Sequence, residues 1–163
     1  MATTQRRAVS TGRASAGRAS LGSASAAKGW VPVRQEVIWI DCNPQAGGEM
    51  RDLHPLLVLS PRDFNARTGL VIGLPMTTAE YNASNPFALN AGVVAGVVAG
   101  VAGGVAGGAA RGRKAGKTCY VLCHQPKSFD WRARGAKPYP LGQLSDAVFA
   151  EACAALNQII GIG

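Results

Sequence analysis

The sequence predicts a small α+β domain, mainly β, in which short antiparallel strands form a strongly bent sheet and one helix closes the C-terminus. Two observations carry this. Several short runs rich in β-branched and aromatic residues are bounded by Gly, Pro and Asn, and a single amphipathic helical pattern follows them. A third sets the size: the 163-residue chain holds two stretches poor in packable side chains, which leaves one domain's worth of foldable sequence.

The first stretch is residues 1–29, made almost wholly of Ala, Ser, Gly, Thr and Arg. It carries Arg6, Arg7, Arg13, Arg18 and Lys28 with no acid. Too little apolar surface is present to offset the entropy of ordering, so a disordered basic arm is expected. An Arg- and Ser-rich, acid-free start also fits an organellar transit peptide, but no amphipathic face is visible. The foldable domain then spans residues 30–163.

The strand-like runs follow in order. Gln35 to Asp41, QEVIWID, is the first; Asn43-Pro44 and Gly47-Gly48 mark the loop after it. His54 to Ser60 and Leu70 to Thr77 are the next two, joined by a loop with Pro61, Asn65 and Gly69. Pro86 to Asn90 is weaker, and Cys119 to Cys123, CYVLC, is stronger. Ser145 can cap a helix to Ile160, with Val148, Ala152, Leu156 and Ile159 or Ile160 along one face and Gly161 as its stop.

A low-complexity insertion at about 91–117 interrupts the domain. Ala91 to Ala110 contains only Ala, Val and Gly, with glycines at 92, 96, 100, 104 and 108. Glycine every fourth residue resembles the small-residue pattern of membrane helix pairs. Against a membrane span, 7 of these 20 residues are Gly and none is Leu, Ile or Phe, so helix propensity and apolar content are both poor. The stretch reads as an expanded loop between strands.

Net charge is +8, but nine of the 17 basic residues lie in the arm and in 91–117. Segment 31–90 has four basic residues against six acids. A compact basic patch is expected only from Lys127, Arg132, Arg134 and Lys137. Cys42, Cys119, Cys123 and Cys153 show no CxxC spacing, and no secretory apolar segment opens the chain, so reduced thiols in a cytoplasmic protein are expected. Cys119 and Cys123 stand about 13 Å apart on a strand, which excludes a shared metal; no metal and no cofactor is expected.

Three polar clusters remain at strand ends: Glu49 to His54, Thr77-Thr78, and His124 to Arg134. His54 and His124 are the only histidines, and imidazole is the side chain best suited to proton transfer near neutrality. Metal-free RNA cleavage needs a base for the 2′-hydroxyl, an acid for the leaving 5′-oxygen and donors for the charged phosphorane. His54 and His124 can supply the first two, Thr77 and Arg51 the third. Residue types alone equally allow a structural histidine and a solvated loop.

Trp39 to Glu49, Val58-Leu59-Ser60-Pro61 with Phe64-Asn65, Leu74-Pro75-Met76-Thr77-Thr78, and Gln125 through Arg134-Gly135 together resemble the MazF/PemK (Kid) family of toxin endoribonucleases. The resemblance covers roughly residues 30–90 and 118–161. It implies a small SH3-like β-barrel and a homodimer that cleaves single-stranded mRNA without metal at short motifs. It also implies a cognate antitoxin that blocks the RNA groove. Thr77 matches the threonine that contacts the scissile phosphate, and Glu49 matches the glutamate of the family's loop. The family's catalytic arginine falls at His54. In the Kid branch an aspartate falls at His124, an arginine at Leu122 and a histidine at Gly48; none is kept. The candidate catalytic residues are therefore His54, Thr77, His124 and Glu49. Candidates for RNA contact are Arg51, Thr78, Gln125, Lys127, Arg132 and Arg134, with Tyr81 and Trp131 as candidate stacking aromatics, Trp131 fitting a place in the core equally well. Two other outcomes fit the same resemblance: a weakened homologue that still binds RNA or antitoxin, and a gyrase-poisoning toxin of related fold.

Overall fold

A computed structural model of the chain describes residues 29–94 and 117–161. The arm before residue 29 and most of the Ala/Val/Gly stretch lie outside the described residues. The elements are β1 (Glu36–Asp41), β2 (Leu53–Val58), α1 (Arg62–Thr68), β3 (Leu70–Thr77), a 3-10 turn (Glu80–Ser84), β4 (Ala88–Val94), β5 (Lys117–Leu122), β6 (Lys127–Asp130), β7 (Lys137–Gln143) and α2 (Asp146–Ile160). The class is as expected, a mainly antiparallel sheet with a C-terminal helix.

The strands run in the order β4-β5-β3-β2-β1-β7, with β6 also on β3. β3 is the pivot. One edge pairs with β2, from Leu56↔Pro75 to Val58↔Gly73. The other edge is divided: Leu70 to Gly73 pair with β6, while Met76 and Thr77 pair with β5. One strand serving two partners on the same side forces the sheet to bend there, which is the bend the short strands predict.

The bend gives two apolar cores. Val37, Leu57, Leu74, Met76, Val121 and Tyr139 pack beneath α2, which buries Ala152 and Leu156. On the other side Ile38, Ile40, Leu56, Val58, Val71 and Phe129 pack around Trp131. Alternate residues of β1 therefore serve opposite cores, as its period of two requires. Gly73 allows the close approach of β2 to β3 where they pair, since a Cβ there would lie 2.4 Å from the Leu57 carbonyl oxygen, far inside van der Waals contact.

Several expectations need correction. The loop carrying Pro61, Asn65 and Gly69 contains α1: Pro61 is its N-cap, and Gly69, at φ 73°, ends it in the left-handed conformation. β4 runs on to Val94, so the first residues of the Ala/Val/Gly stretch extend a strand. Lys117, assigned to that insertion, opens β5. On α2, Ser145 caps as expected, its hydroxyl accepting from the Val148 N–H at 3.4 Å. The last turn does not continue the buried face, because Ile159 and Ile160 are both exposed. Trp131 is core: only 3% exposed, it donates its indole N–H to the Asn65 carbonyl at 3.0 Å.

Among the described residues no helix is long and apolar enough to cross a membrane.

Candidate functional site

A cleft of about 430 Å³ opens where β2 and β3 part company. Their ladder stops at Leu56↔Pro75. Continued along the same register it would set His54 opposite Thr77, and both residues line the cleft. The Cys42–Asp52 loop forms one wall, with Gln45, Glu49 and Arg51 among its lining residues, and Tyr81, Leu122 and Gln125 complete the rim. The structure thus brings together six of the sequence-predicted residues, Glu49, Arg51, His54, Thr77, Tyr81 and Gln125.

His54 enters from β2, and Asp52, the residue just before that strand, is in the left-handed region at φ 63°. That turn is stabilised at its base. Asn43 Oδ1 accepts from the Asp52 N–H, Asn43 Nδ2 donates to Asp52 Oδ1, both at 3.2 Å, and the Cys42 N–H donates to the Asp52 carbonyl at 2.9 Å. Among the described residues His54 Nδ1 is buried with no hydrogen-bond partner. Such an orphan costs stability where it serves nothing, and is characteristic of a site built to meet a ligand.

Thr77 is the last residue of β3 and only 8% exposed. The Ala79 N–H donates to its Oγ1 at 3.2 Å, which orients the hydroxyl and leaves its own proton available to an acceptor. Arg51 lies exposed on the loop wall. Thr78, the next residue after β3, is exposed and outside the lining.

Glu49 carries an ion pair. Lys127 Nζ lies 2.7 Å from its carboxylate. That bond, with a backbone hydrogen bond at Ala46, holds the Glu49 carboxyl below its ordinary range. Its folded pKa is depressed, so the tie is complete above the unfolded carboxylate pKa and is lost as pH falls through the folded value. Near neutrality it is intact, and Glu49 is a weakened base. Followed by side-chain carbon NMR, Glu49 is expected to titrate below about 4.3 and to move back up in Lys127→Ala. A wild-type midpoint at or above that ordinary value contradicts this assignment.

The remaining predicted residues stand outside the cleft. His124 is exposed; its ring lies 5.9 Å from that of Phe87 at 50°, and its Nε2 is 3.3 Å from Gln125 Nε2. The two histidines therefore do not share the lining: His54 is inside and His124 reaches the rim through Gln125. Arg132 stacks over Trp131 at 4.8 Å and donates to the Ala66 carbonyl at 2.9 Å. Arg134 donates to the carbonyls of Asp41 and Asn43 and sits over the Phe129 ring. With Lys127 on Glu49, three of the four cations of the expected patch each make a separate contact within the fold.

Sequence reasoning missed Gln45. Its Oε1 is buried, lines the cleft and has no partner among the described residues. Nothing in a Pro- and Gly-rich loop distinguishes such a residue beforehand. Burial pushes the thiols of Cys42 and Cys119 up to about 11, so both are neutral at physiological pH. Among the described residues no three His, Cys, Asp or Glu side chains are grouped as metal ligands.

Residues 33–160 match the family described as PemK-like, MazF-like toxin of type II toxin-antitoxin system. The chain is similar to the endoribonuclease toxin MazF of Escherichia coli K12, 33% identical over 107 residues that cover 66% of this chain and 76% of that one. It is 28% identical to the endoribonuclease PemK of Escherichia coli over 127 residues, 78% of this chain and 80% of that one. The crystal structure of MazF from Deinococcus radiodurans superposes with a TM-score of 0.61 at 28% identity, covering 82% of this chain and 99% of its own. A MazE-MazF structure from the same organism gives 0.55 at 28% identity, covering 82% and 100%.

Proposed function

The chain belongs to the PemK-like, MazF-like toxin family of type II toxin-antitoxin systems, and from that we propose that it is a toxin endoribonuclease acting in the cytoplasm on single-stranded mRNA at short motifs, without a metal ion. The observation that carries the chemistry is the shared cleft of His54, Thr77 and Arg51. His54 takes the proton of a 2′-hydroxyl. The freed oxygen attacks the adjacent phosphorus, and the bond to the 5′-oxygen breaks. That oxygen takes a proton from solvent at the open mouth, leaving a 2′,3′-cyclic phosphate and a 5′-hydroxyl. The Thr77 hydroxyl and the Arg51 guanidinium face the charge that builds on the phosphorane.

The cleft of one chain is nearly balanced in charge, Arg51 against Asp52 with Glu49 held by Lys127. A homodimer, which family membership supports, would add a second set of groups to the RNA path. An antitoxin is the expected partner, and the MazE-MazF structures among its neighbours support that. A second reading, a weakened homologue that binds RNA or antitoxin, draws on a specific residue: imidazole stands at position 54, where the resemblance expects a permanent cation.

The test is a mixed single-stranded RNA incubated with the purified chain in the presence of a chelator, with fragment 5′ ends mapped. Recurrent short motifs and cyclic-phosphate termini are expected. RNA left intact sinks the nuclease reading, and intact RNA with antitoxin binding retained establishes the second.

A further inference from the structure

We propose that Gln125 is a positioning residue for the cleft, and that it couples the Cys42–Asp52 loop to the protonation state of His124. The orientation of its amide follows from its neighbours. The Met50 N–H can only donate, so the atom that receives it at 3.0 Å is Gln125 Oε1. That leaves Nε2 facing the Gly48 carbonyl at 3.4 Å and His124 Nε2 at 3.3 Å. An amide nitrogen is a donor only, so within this contact His124 Nε2 is the acceptor, which requires the tautomer with its proton on Nδ1.

Protonating His124 sets N–H against N–H. The ring then leaves Gln125, or the amide turns over. Turning over would place Nε2 on the Met50 N–H and Oε1 on the Gly48 carbonyl, exchanging two attractive contacts for two repulsive ones. Either response loosens the loop that carries Gln45 and Arg51 into the cleft. The other groups around His124 do not compensate. Phe87 presents an uncharged ring. Glu49, on the loop, and Lys127, just beyond the turn, are already paired with each other and keep their charges near neutrality.

The consequence for RNA rests on the nuclease reading; the coupling within the protein does not. The experiment is amide hydrogen exchange at Met50 in the full chain, corrected for intrinsic exchange, at about pH 7.5 and about pH 5.5. Wild-type protection is expected to fall on acidification. Gln125→Ala should lose roughly tenfold or more of it at the higher pH, and His124→Ala should abolish the pH response. Gln125→Glu, which keeps an acceptor for Met50 and gains attraction to a charged imidazole, should reverse its direction. A residue that merely filled space would not reverse it. Unchanged protection in Gln125→Ala, or a pH response that survives His124→Ala, overturns the proposal. If RNA is never cleaved but Met50 behaves as stated, the nuclease reading fails and the coupling stands.

Discussion

Replacing His54 with alanine is expected to lower RNA cleavage by about 100-fold or more, the usual worth of a positioned acid/base group. The side chain lies in the cleft with Thr77, and among the described residues its Nδ1 is buried without a partner, so folding uses little of it and alanine should leave the domain intact. His54→Arg separates two ways in which the imidazole can act. If its work is charge, arginine restores the rate and is indifferent to pH near neutrality. If its work is proton transfer, arginine stays slow, because a guanidinium keeps its proton at any working pH. The second pattern is expected, because Arg51 already supplies a permanent cation to the same cleft. An alanine variant that cuts at the parental rate would remove His54 from the mechanism.

The largest expected loss of stability is at Asn65, which is 0% exposed. Its Nδ2 donates to the carbonyls of Pro32 at 2.9 Å and Ser60 at 3.2 Å, and its Oδ1 accepts from the Ser60 hydroxyl. Truncation to alanine removes the donor to both carbonyls and leaves the Ser60 hydroxyl only its longer contact to the Ile72 carbonyl at 3.4 Å, at about 1–3 kcal/mol for each group left unpaired and not rescued by water. Asn65→Ala is therefore expected to cost about 3 kcal/mol, read as a lower urea midpoint at unchanged slope. Asn65→Asp keeps the acceptor and loses both donors, so it should fall with alanine and not with the wild type. A loss below about 1 kcal/mol in Asn65→Ala would mean that water replaces the amide.

How far the sequence showed these features depended on the range of the interactions. β3 was legible to the residue at both ends, because its apolar run is bounded by Gly69 on one side and polar Thr78 on the other. α2 was legible through its cap and stop. α1 was not: it has seven residues and no apolar face, and its buried residue is Asn65, a polar side chain that reads as a turn former until Pro32 and Ser60 surround it. β7 was hidden for another reason. Pro138 and Pro140 argue against a strand, but β7 ends the strand order and pairs only with β1, and an edge strand tolerates a missing donor. β6 has four residues and exists because the lower half of β3 needs a partner.

The candidate site divided in the same way. Its residue types, its position at strand ends and the family were present in the chain as written, since local patterning and motif order are short-range properties. Which polar groups meet was decided by the tertiary structure alone. The bend at β3 opened the cleft between His54 and Thr77, left His124 outside it behind Gln125, and gave Arg132 and Arg134 other contacts. Gln125 reaches Met50 across 75 residues of sequence, and no periodicity records a contact of that range; it follows only from how the sheet packs.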